Sequence, residues 1–150
     1  HLQAGGKVVL SEMLHSYCDY PYAFISLKSV YDVDLASPAL AGGNAESIMG
    51  TECLAWSEYI RDEKTLESKC WPRYAASAEV GWCADTRPGY ASFEARMKAL
   101  FPIFAKYGIE ATGPDGWIPK GQAALEQVAA FRKNFSKEVL EGFAKAQEEV

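Results

Sequence analysis

Histidine is scarce in this sequence, and the cysteines are widely spaced. The only histidines are His1 and His15, and none of the cysteines belongs to a Cys-x-x-Cys pair. A tetrahedral zinc site therefore has little support, and we predict neither a metal nor a cofactor. Free, mostly buried thiols are expected, although a disulfide is left open because spacing does not reveal pairing. The cysteines are Cys18, Cys53, Cys70 and Cys83.

Clustered basic residues and long apolar runs are also missing. The formal net charge is -5 and no basic patch is present, which argues against nucleic acid or an anionic membrane surface as a partner. No run approaches the ~18 consecutive apolar residues of a transmembrane helix, so we predict no membrane span. The chain begins with His1 rather than Met and enters directly at a strand, and we expect it to be the C-terminal part of a longer polypeptide.

Two short strands are predicted, and polar and aromatic residues follow each of them. The first covers 7–11 and holds an apolar run typical of a parallel strand that is covered on both faces. The second opens at 48–50. Because barrel enzymes carry their chemistry at the C-terminal ends of parallel strands, both loops are expected to face the same mouth. The side chains concerned are Tyr17 and Asp19 after the first strand, and Trp56 and Glu58 after the second.

Trp56 and Glu58 are the pair most typical of a sugar site. If the run from Gly50 to Tyr59 is extended, the two side chains point to the same side, since side chains alternate along a strand. The apolar face of a pyranose stacks on an indole, and a carboxylate accepts strong hydrogen bonds from ring hydroxyls. The alternative is structural, with Trp56 in the core and Glu58 as the first charge of a helix.

Further residues extend this pattern in both directions. Upstream stands Tyr17-x-Asp19, and downstream stand Trp71-Pro72-Arg73, Glu79 and Trp82, with Gly50 and Glu52 ahead of Trp56. The order resembles glycoside hydrolase family 20, the β-N-acetylhexosaminidases, over about residues 1 to 110.

The resemblance implies an α/β fold that is the C-terminal portion of a (β/α)8 TIM barrel. It would supply about the last two βα units, followed by C-terminal α-helices, because 150 residues are too few for the ~250 of a complete barrel. We expect the barrel part to cover 1–110 and an amphipathic helical extension to cover 111–150.

The resemblance also assigns roles to the four side chains. Tyr17 takes the catalytic role of hydrogen-bonding the carbonyl oxygen of the substrate's 2-acetamido group, and Asp19 binds sugar hydroxyls. Trp56 forms the wall on which the terminal sugar rests, and Glu58 binds a hydroxyl remote from the cleaved bond. The alternative for the first pair is a capped loop in which Asp19 binds its own backbone and Tyr17 packs.

In the family, hydrolysis is retaining and substrate-assisted, an exception to the scheme with two catalytic carboxylates. An Asp-Glu pair on an earlier strand supplies the acid and orients the acetamido group. The only Asp-Glu here is Asp62-Glu63, which we interpret as the acidic first turn of a helix. The isolated chain is therefore predicted to be inactive.

The activity of the whole protein is expected to be hydrolysis of terminal N-acetylhexosamine residues. The alternative is a non-catalytic carbohydrate-binding or structural module derived from that barrel. Expected partners are N-acetylhexosamine-containing glycans and either the remainder of the barrel or a second copy of the chain. The resemblance favours a secreted or periplasmic location.

Helices are predicted over most of the remaining chain. A short one covers 26–31 with Ser26 as its cap, and 63–83 is helical with a break at 71–73. A third is capped at Ser92 or its neighbour, has a kink or restart at Pro102 and ends at Gly108. Three further assignments are a core position for Trp82, structural pairs for Arg73 and Glu79, and a last amphipathic helix with Leu125, Val128, Phe131, Phe135, Val139 and Phe143 on one face.

Overall fold

The computed structural model describes residues 1–35 and 45–135. Within them the strands are β1 (Val8–Leu10) and β2 (Ile48–Thr51). The helices are α1 (Met13–Ser16), α2 (Leu27–Tyr31), α3 (Glu63–Cys70), α4 (Arg73–Cys83), α5 (Tyr90–Lys106) and α6 (Gly121–Arg132). Short 3-10 turns cover Leu2–Ala4, Ala45–Ser47, Ala84–Thr86 and Pro114–Gly116. No helix in the described ranges combines the length and hydrophobicity needed to cross a bilayer.

β1 and β2 form a parallel two-stranded sheet, as predicted. Val9 pairs with Gly50 and Leu10 with Thr51, and the register shifts between Val8 and Val9. The expectation that β1 is covered on both faces is wrong for this chain, because Val9 is 48% exposed. Met49 of β2 is 67% exposed. The sheet therefore presents an apolar surface to solvent.

The prediction for α2 is confirmed in detail. The hydroxyl of Ser26 accepts a hydrogen bond from the backbone N–H of Ser29 at 3.0 Å, which satisfies an otherwise unpaired donor of the first turn. Leu27, Val30 and Tyr31 are buried together on one side of the helix. They contact Ala76 and Val80 of α4 in the main hydrophobic core, to which α5 contributes Phe93 and Met97.

The predicted break inside 63–83 separates α3 from α4. The Trp71–Pro72 peptide bond is cis, and α4 begins at Arg73. The carboxylate of Asp62 accepts a hydrogen bond from the backbone N–H of Thr65 at 2.7 Å and caps α3, so this Asp-Glu pair is a helix start as predicted.

The predicted cap of α5 is wrong, and of the two possibilities predicted at Pro102, a kink or a restart, the restart is excluded. The cap is Gly89 rather than Ser92, because the Gly89 carbonyl already accepts the backbone N–H bonds of Ser92 and Phe93. The helix then continues through Pro102 to Lys106 without a restart. It ends before Gly108, whose φ of 72° is the left-handed conformation that glycine adopts readily.

The core assignment of Trp82 is also wrong, because its side chain is 91% exposed. Trp82 lies two positions after the fully buried Val80, which is about 200° around the helix, so the two residues face opposite ways. The buried tryptophan is Trp117, which is 1% exposed and donates from Nε1 to the Thr112 carbonyl at 2.7 Å.

Of the predicted amphipathic helix, the structure describes the part up to residue 135, which contains α6. This helix ends at Arg132 and a turn follows, while Val139 and Phe143 lie outside the described residues. Leu125 is exposed, but Phe131 is buried. Pro38 and Gly42-Gly43 predict a loop over 34–44, most of which also lies outside the described residues.

Candidate functional site

The loops that follow β1 and β2 are joined by backbone hydrogen bonds. The Cys18 N–H donates to the Leu54 carbonyl at 2.8 Å, and the Leu54 N–H donates to the Ser16 carbonyl at 2.7 Å. These bonds form a parallel bridge between Tyr17 and Leu54 beyond the ends of both strands. The segment that carries Tyr17 and Asp19 is thereby fixed beside the segment that leads to Trp56.

Tyr17 and Trp56 form an aromatic pair at this point. Their ring centroids are 6.5 Å apart and their planes are inclined by 38°. Trp56 is 53% exposed, which is unusual for so large an apolar side chain and rules out the core position that was the alternative. The pair offers an apolar face to solvent with a phenol hydroxyl beside it.

Asp19 is almost fully buried next to this pair, with 1% of its surface exposed. One carboxylate oxygen, Oδ1, has no hydrogen-bond partner among the residues that the structure describes. Burial raises the pKa of Asp19 above its ordinary value, while hydrogen bonds from its own backbone and from that of Trp56, and the nearby charge of Lys69, act against this rise. The self-capped loop that was the alternative is thus only part of its environment, because one oxygen is left over.

We expect Asp19→Asn to stabilise the folded chain near neutral pH by about 1 kcal/mol, although it removes a carboxylate from the site. Because the pKa is raised in the folded state, the native chain binds this proton more tightly than the unfolded chain. Below the ordinary pKa of 3.8 both states hold the proton, and parent and variant should be equally stable. As the pH rises through the folded pKa, the parent loses stability relative to the variant.

Urea unfolding of both proteins between about pH 3 and about pH 8 measures this difference. Greater stability of the parent near neutral pH would show that the folded chain stabilises the carboxylate, contrary to this account. Asp62→Asn is a suitable control, since Asp62 is a fully exposed helix cap and asparagine caps helices equally well.

Arg73 and Lys69 hold the loop that carries Asp19 through its backbone. Arg73 is fully buried and donates to the carbonyl oxygens of Ile25 at 2.8 Å, Lys69 at 2.6 Å and Cys18. The ammonium of Lys69 donates to the Asp19 carbonyl, and burial lowers the pKa of Lys69. The guanidinium also lies 4.0 Å from the centroid of the Tyr22 ring.

The prediction that Glu79 forms a structural pair is confirmed, whereas the same prediction for Arg73 is wrong because its partners are backbone carbonyls. Glu79 accepts hydrogen bonds from Arg96 at 2.6 Å and from the Tyr31 hydroxyl at 2.7 Å, and Arg96 lowers its pKa. Arg73 binds backbone carbonyls instead of a carboxylate. Its position in the Trp71-Pro72-Arg73 motif was the signal in the sequence. The Lys69 carbonyl is one helical turn away, but those of Ile25 and Cys18 are 48 and 55 positions away along the chain.

Glu58 lies in a turn, so the predicted extended run through Trp56 and Glu58 is wrong. Regular pairing in β2 ends at Thr51, and residues 57–59 form a turn. Glu58 lines a groove of about 570 Å³ that Lys69 and Phe131 also line, whereas Tyr17, Asp19 and Trp56 do not line it. Glu58 therefore lies in a groove at one side of the site and does not share a strand face with Trp56.

An aromatic cluster connects the Glu58 side of the site to the Tyr17 side. Tyr20 packs edge-on against Tyr17 at 5.6 Å and against Tyr59 at 6.1 Å between ring centroids. Tyr59 is hydrogen-bonded to Glu58, and burial followed by this bond raises the pKa of Tyr59 to about 12. The charges of Asp19 and Glu58 both reach Tyr20 and add to the rise in its pKa caused by burial.

Phe131 of α6 completes this cluster, a role that the sequence did not reveal. Its ring centroid lies 4.7 Å from Tyr20, 5.2 Å from Tyr59 and 5.0 Å from Phe24. Through Phe131, α6 thus packs directly against both loops of the candidate site. The helical stripe predicted that Phe131 is buried, but it carried no signal for the partner surface.

Other polar groups near the site have structural partners. His15, to which no role was assigned, hydrogen-bonds through Nδ1 to the Ser29 carbonyl at 2.7 Å. In the described parts of the chain, no group of three or more His, Cys, Asp or Glu side chains is arranged to hold a metal ion.

The sequence of this chain is similar to those of known proteins. Residues 1–85 match the sequence model of the glycosyl hydrolase family 20 catalytic domain. A β-N-acetylhexosaminidase of Cellulomonas fimi is 30% identical over 134 residues, which are 81% of this chain and 27% of that protein. A chitooligosaccharidolytic β-N-acetylglucosaminidase of Ostrinia furnacalis is 30% identical over 122 residues, which are 73% of this chain and 20% of that protein.

A solved structure shares the fold. It is a family 20 β-N-acetylhexosaminidase from Streptomyces coelicolor A3(2), which superposes with a TM-score of 0.69 at 25% identity. The match covers 73% of this chain and 24% of that protein. The chain spans about a quarter of the length of the relatives that it matches.

Proposed function

Since this chain belongs to glycosyl hydrolase family 20, we propose that it forms part of the catalytic barrel of a β-N-acetylhexosaminidase and presents residues that hold the terminal sugar. Trp56 provides the surface on which the sugar rests, and Tyr17 donates a hydrogen bond to the acetamido carbonyl. Asp19 and Glu58 accept hydrogen bonds from sugar hydroxyls.

The observation that carries this proposal is the orphaned carboxylate oxygen of Asp19 beside an exposed indole. A buried oxygen without a partner is costly, and a sugar hydroxyl is a donor that can satisfy it. The exposed ring of Trp56 supplies the apolar surface that the same sugar needs. The two bridged loops thus supply both an acceptor for a pyranose hydroxyl and an aromatic surface for its apolar face.

Catalysis requires groups beyond this chain in the proposed enzyme. In the family the acetamido carbonyl of the substrate attacks the anomeric carbon, while a glutamic acid protonates the leaving oxygen. A hydrogen bond from Tyr17 to that carbonyl orients it for attack. The only Asp-Glu in this sequence caps α3, so we propose that the acid and its aspartate partner come from an earlier strand and that the isolated chain does not hydrolyse glycosides.

A non-catalytic sugar-binding module is the second candidate, and the use of Asp62-Glu63 as a helix start favours it. The two candidates differ in the rest of the polypeptide. A strand-borne Asp-Glu upstream supports the hydrolase, and a full-length polypeptide without one supports the module. Cleavage of an aryl N-acetylglucosaminide by the isolated chain would contradict both.

The role of Tyr17 is tested by comparing two sugars that differ in the acetamido group. We expect Tyr17→Phe to weaken binding of N-acetylglucosamine about 3- to 10-fold, the effect of one hydrogen bond, and to leave weak binding of glucose unchanged. NMR titration of both sugars measures this. Tyr20→Phe is the matched control, because its ring packs 5.6 Å from Tyr17. Equal losses for both sugars would contradict an acetamido contact.

We further propose that residues 1–110 form about the last two βα units of the barrel and that 111–150 form the helical extension. The exposed sheet supports the proposal that the barrel is incomplete in this chain. Val9 is 48% and Met49 67% exposed, and among residues 1–35 and 45–135 the two-stranded sheet leaves a free edge on each strand. The remainder of the barrel, or a second copy of the chain, would cover this surface.

Accordingly, the isolated chain should self-associate, and Met49→Lys should raise its dissociation constant about 10-fold by placing a charge on the apolar surface. Light scattering over a concentration series gives the mass. Leu125→Lys is the matched control, since Leu125 is exposed on α6, away from the sheet. A monodisperse monomer that unfolds cooperatively would contradict this proposal.

A further inference from the structure

The thiols of Cys18 and Cys53 meet between the two loops of the candidate site. Their sulfur atoms are 2.7 Å apart, although the residues are 35 positions apart in the sequence. Cys18 lies between Tyr17 and Asp19, and Cys53 lies three positions before Trp56. We propose that Cys18 and Cys53 are a disulfide-forming pair that cross-links the loops carrying the four candidate sugar-binding residues.

The backbone fixes the proximity of the two sulfur atoms. Cys18 donates its N–H to the carbonyl of Leu54, the neighbour of Cys53, at 2.8 Å, so the two cysteines lie on paired segments. The bridge pairs Tyr17 with Leu54, so Cys18 and Cys53 lie on either side of it and are not directly opposite each other. The sulfur atoms of a disulfide are about 2.05 Å apart, so the two thiols must approach by roughly 0.7 Å for the bond to form.

Of the other two cysteines, Cys70 is buried near the pair, so it is the competitor that the test must exclude. The Cys70 thiol is hydrogen-bonded to Tyr74, and Cys83 lies at the end of α4. Cys18 is fully buried, whereas Cys53 is partly exposed, so an oxidant reaches the pair through Cys53.

The oxidant that we assign is a small disulfide such as oxidised glutathione. The Cys53 sulfur displaces one glutathione thiol and forms a mixed disulfide, and the Cys18 sulfur then displaces the second. Two cysteine thiols are oxidised to one disulfide, one glutathione disulfide is reduced to two thiols, and the two cysteine protons end on those thiols.

Thiol counting on the full chain tests the proposal. The folded protein is equilibrated with excess oxidised glutathione, quenched with acid, unfolded and alkylated, and its peptides are analysed by mass spectrometry. We expect Cys70 and Cys83 to be alkylated and one peptide pair to be joined through Cys18 and Cys53, with the loss of two hydrogens. Cross-linking should raise the midpoint of thermal unfolding by roughly 5 to 15 °C relative to the reduced chain.

Two variants and one control condition sharpen the result. Cys53→Ser should abolish the cross-link, whereas Cys83→Ser should retain it with one alkylated thiol left. Oxidation in denaturant should give mixed pairings, because the specificity comes from the fold. Four alkylated thiols, glutathione adducts without a cross-link, or a bond to Cys70 in the folded parent would each overturn the proposal, even if the serine variants do not fold.

Discussion

Replacement of Arg73 by methionine is expected to lower the free energy of unfolding by about 3 to 5 kcal/mol. The guanidinium is fully buried and satisfies the carbonyl oxygens of Ile25, Lys69 and Cys18. Methionine fills a similar volume but donates no hydrogen bond, so these acceptors lose a partner where water has little access. Equilibrium unfolding in urea measures the loss.

Arg73→Lys should restore only part of this stability, because an ammonium cannot place donors in a fixed planar fork. Lys64→Ala is the control for loss of a positive charge, since the Lys64 side chain is 78% exposed and its ion pair with Glu110 spans 3.1 Å. Its effect should stay below about 1 kcal/mol. A loss of that size in Arg73→Met would show that the buried carbonyls find other partners.

Replacement of Trp56 by alanine should weaken binding of N-acetylglucosamine about 10- to 100-fold. The indole is 53% exposed, so the folded chain keeps an apolar surface in water that a sugar face can cover. Removing the ring removes that surface, and the loss should appear in the affinity while the free energy of unfolding changes little. NMR titration and urea unfolding of the variant measure the two quantities.

Trp82→Ala is the matched control, because Trp82 is 91% exposed on α4 and belongs to neither loop of the site. The two substitutions remove the same side chain from the same protein. Equal effects on sugar binding would mean that any exposed indole contributes and that the platform at Trp56 is not specific.

Local sequence rules predicted the elements whose structure depends on a few neighbouring residues. The Ser26 cap of α2 and the Asp62 cap of α3 follow from hydrogen bonds made within one turn. The parallel pairing of β1 and β2 follows from apolar runs separated by a crossover. The two caps are thus determined by neighbouring residues, whereas the strand pairing joins residues about 40 positions apart and was predicted from the apolar pattern of each strand.

The wrong predictions concern residues whose conformation or burial depends on contacts with distant parts of the chain. The period of two predicted a shared face for Trp56 and Glu58, but regular strand pairing ends at Thr51. Trp82 was assigned to the core by its residue type, whereas the face of α4 that it occupies is turned away from α2. The Ile25 and Cys18 carbonyls that Arg73 binds, and the Tyr20 ring that Phe131 contacts, lie across the fold, and no local pattern identifies them.

The part of the candidate site that the sequence could predict is therefore its residue types and their order. The resemblance named Tyr17, Asp19, Trp56 and Glu58 before their arrangement was known. The structure added the 6.5 Å approach of Tyr17 to Trp56, the burial of Asp19 and the separate groove at Glu58. These features depend on loop geometry beyond the strands, which periodicity does not describe.

The central claim is that this chain presents a sugar-binding surface at Trp56, and NMR of the tryptophan indole N–H groups tests it most directly. Each of the four tryptophans gives one such signal. During titration with N-acetylglucosamine, the signal absent from the Trp56→Ala spectrum should shift, while that of the buried Trp117 and that of the remote Trp82 should stay in place. A titration in which the Trp56 signal does not move, or moves no more than that of Trp82, would contradict the claim.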